Sequence, residues 1–179
     1  MKEVYIFLTT GFEEIEALGT IDILRRGGVN VKSVSLIESK QVEGSHKILV
    51  AADLMFDEVN FSDAEMLIIP GGTVKFNEHN GLKETVKAFA QTGKNVAAIC
   101  AAPMVLGGLG LLKGKKATAY PGFEQYLEGA EFIKTSVVVD GNIITGRGPG
   151  LTMEFALKLL EILEGKAKSD EVAGQLLLK

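Results

Sequence analysis

Short apolar runs alternate along the chain with stretches in which apolar residues recur every three or four positions. The runs are typical of buried β-strands, and the recurring pattern is typical of amphipathic helices. Strands are predicted at residues 4–9, 29–37, 66–69, 96–99, 116–120, 132–139 and 142–145. Because several of these strands are apolar on both faces, we predict a mainly parallel sheet with helices covering both sides.

Helices are predicted in most of the intervals between the strands. The first helix follows a capping box at residues 10–13 and has an apolar face of Ile15, Leu18, Ile21 and Leu24. The second has an apolar face of Leu82, Val86 and Phe89 and ends near residue 91. Further helices are predicted at residues 101–112, at residues 123–127, along an apolar face of Phe155, Leu157, Leu160 and Leu163, and at residues 170–177. Residues 47–51 predict a hairpin arm at the edge of the sheet or off it. The series contains no linker or repeat, so the 179 residues predict a single α/β domain.

Composition excludes several classes of function. The chain has 23 acidic and 19 basic residues and no basic block, so we expect no nucleic-acid partner. One cysteine rules out an intramolecular disulfide, and two histidines without a cysteine pair match no zinc spacing, so we expect neither a dedicated metal nor a cofactor. The uncharged stretch 96–112 is shorter than the ~20 residues of a membrane-spanning helix. We therefore expect a cytoplasmic protein with no membrane partner.

The single cysteine occupies a position that suits a nucleophile. Cys100 follows an apolar strand and precedes a helix, and residues 98–102 read Ala-Ile-Cys-Ala-Ala, with the small side chains that a sharp strand-to-helix turn requires. Because a helix N-terminus favours a thiolate, the position predicts an ionised Cys100 near neutral pH. The alternative interpretation is an inert cysteine in the core.

Backbone amides near this turn are candidate donors to an anion. Residues 70–72, Pro-Gly-Gly, end a neighbouring strand, and glycine lets a backbone N–H approach a ligand closely. The amides of Gly72 and Ala101 could together stabilise negative charge that develops beside Cys100. A purely structural turn is the alternative for this segment.

The remaining polar candidates are less clearly placed. Glu16 is the one acid of its helix that neither capping nor the helix dipole explains, yet spacing alone favours a solvated side chain. Residues 146–150, Gly-Arg-Gly-Pro-Gly, do not have the spacing of a dinucleotide-binding loop. His46 and His79 have polar neighbours and are predicted to be solvated loop residues, neither of them placed as a partner for Cys100.

Four segments, in this order, resemble the ThiJ/PfpI superfamily of class I glutamine amidotransferase-like proteins. They are residues 11–16 (GFEEIE), 70–72 (PGG), 98–103 (AICAAP) and 146–150 (GRGPG). The resemblance spans almost the whole chain, so residues 1–179 are identified as a single domain of this superfamily, most similar to its parkinsonism-associated deglycase branch. It implies a flavodoxin-like three-layer sandwich and, by itself, a homodimer.

The resemblance also implies roles for individual residues. Cys100 is the oxidisable nucleophile, Glu16 is the protonated partner of its thiolate, and the amides of Gly72 and Ala101 form an anion pocket. This implication reverses the expectation of a solvated Glu16. In the deglycase branch a His often stands where this chain has Tyr120, so Tyr120 is a possible pocket residue here.

Several functions are compatible with such a site. The leading hypothesis is an enzyme similar to glyoxalase III or to deglycases, in which Cys100 attacks a small 2-oxoaldehyde such as methylglyoxal and Glu16 moves protons until lactate leaves. The alternative is a redox sensor or chaperone that uses oxidation of the same cysteine. A peptidase and a thiazole-biosynthesis enzyme are less expected, because no histidine follows His79 and no phosphate-binding motif is present. His46 stands where the branch often has an Arg and is a second possible pocket residue.

Overall fold

The structure is a computed structural model that describes residues 3–178. Its strands are β1 Glu3–Leu8, β2 Asn30–Ser35, β3 Gln41–Glu43, β4 Leu49–Ala51, β5 Leu54–Met55, β6 Ala64–Ile69, β7 Asn95–Ile99, β8 Lys116–Ala117, β9 Glu131–Phe132, β10 Val137–Asp140 and β11 Ile143–Gly146. Its α-helices are α1 Glu14–Arg26, α2 Asn80–Gln91, α3 Pro103–Gly108, α4 Thr152–Glu164 and α5 Lys166–Gln175.

Seven strands form one sheet in the order β10-β11-β7-β6-β1-β2-β5, and only β10 runs antiparallel to its neighbour. The chain moves in opposite directions from β1 to β2 and from β6 to β7, so right-handed crossovers place α1 and α2 on opposite faces. Helix α4 packs against α1, and α5 packs against α4. The predicted mainly parallel, flavodoxin-like α/β fold is confirmed. Its strand order reverses between β1 and β6, the position at which such sheets bind ligands beyond the carboxyl ends of the strands.

Helix α1 differs from its prediction in where it begins and in which face it buries. Its N-cap is Glu13, whose carboxylate accepts the N–H of Glu16 at 2.8 Å, so the predicted capping box began three residues too early. Ile21 and Leu24 of the predicted apolar face are buried, but Ile15 is 56% exposed and Leu18 is also exposed. The buried face also includes Glu16 and Ala17, and it brings a carboxyl group under the sheet edge.

Other elements agree with the sequence in type more than in length. The buried face of α2 and the β3–β4 hairpin, which lies off the main sheet, are confirmed. The predicted helix 101–112 is confined to α3, followed by turns around Gly110, which has φ +74°. The predicted strand 132–139 is split into β9 and β10, and strands 29–37 and 116–120 shorten to β2 and β8. The predicted helix 123–127 is a 3₁₀ turn at Glu124–Tyr126, and the last helix begins at Lys166.

None of the helices described between residues 3 and 178 is both long enough and apolar enough to cross a membrane. The longest helices, α1 and α4, have 13 residues each and extend about 20 Å, against a hydrocarbon thickness of about 30 Å.

Candidate active site

Cys100 lies in a tight turn between β7 and α3. Its φ of +68° is in the left-handed region, which is uncommon for a residue with a side chain and costs of the order of 1–3 kcal/mol. Backbone hydrogen bonds hold the turn, because the Cys100 N–H donates to the Gly146 carbonyl at 2.9 Å and the Cys100 carbonyl accepts the Tyr120 N–H at 2.8 Å. The predicted strand-to-helix elbow is therefore present, and segments distant in sequence fix its conformation.

The thiol sulfur of Cys100 lies among backbone amides, and the residue as a whole is only 7% exposed. The N–H groups of Ala101 and Gly72 donate hydrogen bonds to it. Gly72 has φ +93°, and a Cβ there would overlap the backbone of residues 11–13, so this position requires glycine. The structure thus brings together the thiol and both amides that the sequence singles out.

Glu16 lies beside the thiol and is completely buried, so the expectation of a solvated side chain from spacing alone is wrong. The Gly71 N–H donates to Glu16 Oε1 at 3.2 Å, and the Glu16 and Cys100 side chains share a hydrogen bond. Glu16 Oε2 has no hydrogen-bond partner among the described residues. Because α1 begins at the carboxyl end of β1, its first turn directs this side chain under the ends of β6 and β7.

Burial raises the pKa of Glu16 to about 8, and the negative charge of Glu13 adds to the increase. Hydrogen bonds from Cys100 and Gly71 oppose it without cancelling it. Glu16 is therefore mostly protonated at neutral pH, with a pKa near the pH at which a general base and acid work best.

Burial also raises the pKa of Cys100, to about 12, with a further contribution from the charge of Glu16, whereas the amides of Ala101 and Gly72 lower it. The sequence-based prediction of an ionised thiol at neutral pH considered only the helix terminus and is wrong in direction. Helix α3 has just six residues and begins at Pro103, so its effect on the sulfur is outweighed by burial. Because the charge of Glu16 raises the pKa of Cys100, the pair loses its first proton more readily than its second.

A cavity of about 290 Å³ opens beside Cys100, near the lower end of the ~300–1,000 Å³ range of small-molecule sites. Its lining residues are Gly72, Thr73, Val74, Cys100, Ala101, Tyr120 and Phe123. Tyr120, a possible pocket residue from the sequence, is among them. Phe123 and Val74 were missed, because no pattern in the sequence shows that their loops fold over the elbow.

Neither histidine lines this cavity. His46 is exposed on the β3–β4 hairpin, where its Nδ1 lies 2.8 Å from Glu14 Oε2, so the structure does not support its place as a pocket residue. His79 is not a solvated loop residue as predicted. It is partly buried and caps α2, with Nδ1 accepting the Leu82 N–H at 2.9 Å, and burial lowers its pKa.

One group of possible metal ligands occurs in the described part of the chain: Glu13, Glu14 and His46, whose ligand atoms lie within 4.8 Å of one another. Hydrogen bonds already account for this arrangement. Burial raises the pKa of Glu14, but hydrogen bonds from His46 and Ser45 outweigh burial and bring it down to about 2. The carboxylate of Glu14 thus holds the hairpin against the start of α1.

Gly71 has a spatial role that sequence reasoning did not assign. A Cβ at this position would lie 2.6 Å from the Cys100 Cβ and 2.9 Å from Glu16 Oε1. Contacts this short do not occur without movement of a neighbour, so the absence of a side chain at Gly71 is what allows the thiol and the carboxyl group to meet.

Comparison with known proteins identifies the family of the chain. The model of the DJ-1/PfpI family matches residues 2–162. DJ-1 homolog A of Arabidopsis thaliana is 40% identical over 99% of this chain but 47% of its own length, so the chain spans about half of that relative. The deglycase PH1704 of Pyrococcus horikoshii is 34% identical over 89% of this chain and 98% of its own. The structure of oxidized DJ-1 from Toxoplasma gondii matches with a TM-score of 0.94 at 36% identity, covering 99% of this chain and 98% of that one. The chain therefore belongs to the DJ-1/PfpI family.

Proposed function

We propose that the protein is a cysteine-dependent enzyme that converts small 2-oxoaldehydes to 2-hydroxy acids, as in the formation of lactate from methylglyoxal. The observation that carries the proposal is the hydrogen-bonded pair of Cys100 and the buried Glu16 at the wall of a small cavity. The pair combines a nucleophile with a group that can accept and return a proton near neutral pH. Similarity to a relative named as a deglycase supports carbonyl chemistry.

The first step forms a carbon–sulfur bond. The Glu16 carboxylate takes the thiol proton along their hydrogen bond while Sγ attacks the aldehyde carbon, and the carbonyl electron pair moves to the aldehyde oxygen. The amides of Gly72 and Ala101, which already point at the sulfur, are available to stabilise that oxygen. Return of the proton from Glu16 to the oxygen gives a hemithioacetal and restores the carboxylate.

The second stage moves hydrogen between the two carbons. Glu16 moves the proton of the former aldehyde carbon to the ketone oxygen, which gives an enediol. It then moves the hydroxyl proton of the former aldehyde carbon to the neighbouring carbon, which leaves a thioester on Cys100. Water hydrolyses the thioester to the 2-hydroxy acid and frees the thiol. The net change is the addition of one water molecule, in which the aldehyde carbon is oxidised and the ketone carbon is reduced, so no external oxidant is needed.

Lactate formation from methylglyoxal by the purified chain tests the proposal. We expect turnover that rises with pH towards about 8 as Glu16 ionises, no turnover in Cys100→Ala, and a loss of about 10²-fold or more in Glu16→Gln. Glu14→Gln is the matched control, because its carboxyl group lies in the same helical turn but bonds to His46. Turnover that survives Cys100→Ala would contradict the proposal.

A redox sensor or chaperone is the second candidate, favoured by the same surroundings of the sulfur. Two equivalents of peroxide convert the thiol to a sulfinic acid and release two water molecules, and the amides of Gly72 and Ala101 with Glu16 could bind the added oxygens. Intact mass after peroxide measures the gain of two oxygen atoms. An identical yield in wild type and Glu16→Ala would show that Glu16 takes no part in this oxidation.

We further propose a homodimer. Exposed apolar residues lie on two elements that the Glu14–His46 hydrogen bond holds together, namely Ile15 and Leu18 on α1 and Ile48 with Leu49 on the hairpin. Exposed apolar residues on two neighbouring elements are typical of a surface that another protein covers. Light scattering at micromolar concentration tests the proposal, and a monomeric mass would contradict it.

A further inference from the structure

We propose that the cavity beside Cys100 selects neutral 2-oxoaldehydes with a flat apolar substituent, such as an aryl group, over carbonyl substrates that carry a negative charge. This inference rests on the function proposed above and specifies its substrate class. It is drawn from the side chains at the mouth of the cavity and from the charges around it.

The mouth of the cavity is apolar and aromatic. Tyr120 and Val74 are 44% and 47% exposed, and Phe123 is partly buried between the cavity and the ring of Tyr126, with centroids 5.8 Å apart. Large apolar surfaces left open to water at a cavity mouth gain free energy when an apolar group covers them. A flat ring can also stack on an aromatic side chain.

The position of the nucleophile orients the substrate. Cys100 is nearly buried, whereas Tyr120 and Val74 are much more exposed, so the sulfur lies at the inner end of the cavity and the apolar side chains lie at its outer end. An aldehyde carbon bonded to the sulfur therefore has its substituent directed towards Tyr120, Val74 and Phe123. A methyl group leaves much of this surface wet, while an aryl ring covers it.

Charge disfavours anionic substrates. No side chain lining the cavity is a cation, and the pair of Cys100 and Glu16 carries a negative charge in its reactive form. Among the described residues, the nearby guanidinium of Arg147 donates to the Ala119 carbonyl at 3.5 Å and lies over the ring of Phe132, which leaves it outside the lining. A substrate carboxylate would enter this space without a positive partner.

The catalytic arm of the test compares kcat/KM for phenylglyoxal, methylglyoxal and 4-carboxyphenylglyoxal. We expect an advantage of about tenfold or more for phenylglyoxal over methylglyoxal, and a disadvantage for 4-carboxyphenylglyoxal, in which the same ring carries a negative charge. Tyr120→Phe should keep the aromatic preference, whereas Tyr120→Ala and Val74→Ala should reduce it. Val139→Ala is the control, because Val139 is similarly exposed, at 46%, on β10 and lies outside the cavity lining.

A second arm needs no turnover and uses the fact that Cys100 is the only cysteine. Two ratios of alkylation rates are measured: that of N-phenylmaleimide to N-ethylmaleimide and that of iodoacetamide to iodoacetate. Each ratio is divided by the same ratio for a free thiol in solution. Both ratios should favour the aromatic and the neutral reagent, and Tyr120→Ala should reduce the aromatic ratio. Selective alkylation without methylglyoxal turnover would support the selectivity and refute the proposed function. If kcat/KM for phenylglyoxal is no higher than for methylglyoxal and alkylation is unselective, the inference is overturned while the proposed function stays intact.

Discussion

Replacing Glu16 by glutamine should stabilise the protein at neutral pH while it impairs the site. The side chain is fully buried, and its pKa is about 8 in the folded chain against 4.5 in the unfolded chain. The folded state therefore keeps a proton that the unfolded state releases. Stability from this proton is fully present below pH 4.5 and is lost as the pH rises through 8.

The size of the effect follows from the difference in pKa. Each pH unit between 4.5 and 8 removes about 1.4 kcal/mol, so the loss reaches about 3 kcal/mol at pH 7. Glutamine matches the shape of a neutral carboxyl group and does not titrate, so Glu16→Gln avoids this loss. Its cost from altered hydrogen bonding is independent of pH and is measured at pH 4.

The assay is urea unfolding of wild type and Glu16→Gln at pH 4, 5, 6, 7 and 8. The difference in free energy of unfolding should move in favour of the variant by about 3 kcal/mol between pH 4 and pH 7, because all other titrating groups cancel. Glu14→Gln is the control of opposite sign. Hydrogen bonds hold the pKa of Glu14 at about 2, so its ionised form stabilises the fold at neutral pH and loses that effect as the pH falls below 4.5. A Glu16→Gln difference that stays constant within about 0.5 kcal/mol over this range would refute a buried carboxyl group with a raised pKa.

Four further outcomes are expected. Glu16→Gln should move the pH midpoint of Cys100 alkylation downwards, since the negative charge that raises the pKa of the thiol is lost; an unchanged midpoint would separate the two residues. Gly71→Ala should cost about 1–3 kcal/mol in urea unfolding and slow both alkylation and lactate formation, because its Cβ displaces the thiol from the carboxyl group. His79→Ala should lower the free energy of unfolding by about 1 kcal/mol above pH 6.5. The loss should be smaller in acid, because protonation of His79, whose pKa is lowered in the fold, removes the contribution of the wild-type cap. His79→Asn should restore the cap at all pH values. Casein should not be cleaved in a Cys100-dependent way, because no histidine of the described chain lines the cavity.

The fold could be predicted because its strands are apolar on both faces and its helices fill the intervals between them. The prediction failed where a residue serves the site or the surface instead of the core. In α1 the polar Glu16 is buried and the apolar Ile15 is exposed, so a rule that places apolar residues inside fails in the first half of the helix, although it places Ile21 and Leu24 correctly. Strand lengths failed because the pairing of β8 with β9 and of β10 with β11, and not local composition, decides where these strands end.

The candidate site was predictable in its backbone and less so in its electrostatics. The small residues around Cys100 and the glycine at position 72 are direct consequences of a tight turn and a close approach, and both are visible in the sequence. The pKa of Cys100 could not be predicted from the sequence, because the burial of the thiol and the position of Glu16 depend on strands that are distant along the chain. Gly71 and Phe123 were missed for the same reason, since their roles are distances to residues elsewhere in the sequence.

The hydrogen bonds that hold the elbow also set the order in which the site can be built during synthesis. Strand β7 is an edge strand until β11 pairs with it, and the Cys100 N–H has no acceptor until Gly146 arrives. A nascent chain that has not yet released residues 143–146 from the ribosome therefore carries an open sheet edge next to a cysteine turn that lacks one of its two backbone hydrogen bonds. During that interval the turn is held less firmly, and chaperones that bind unpaired strands would protect the chemistry of this protein as well as its fold.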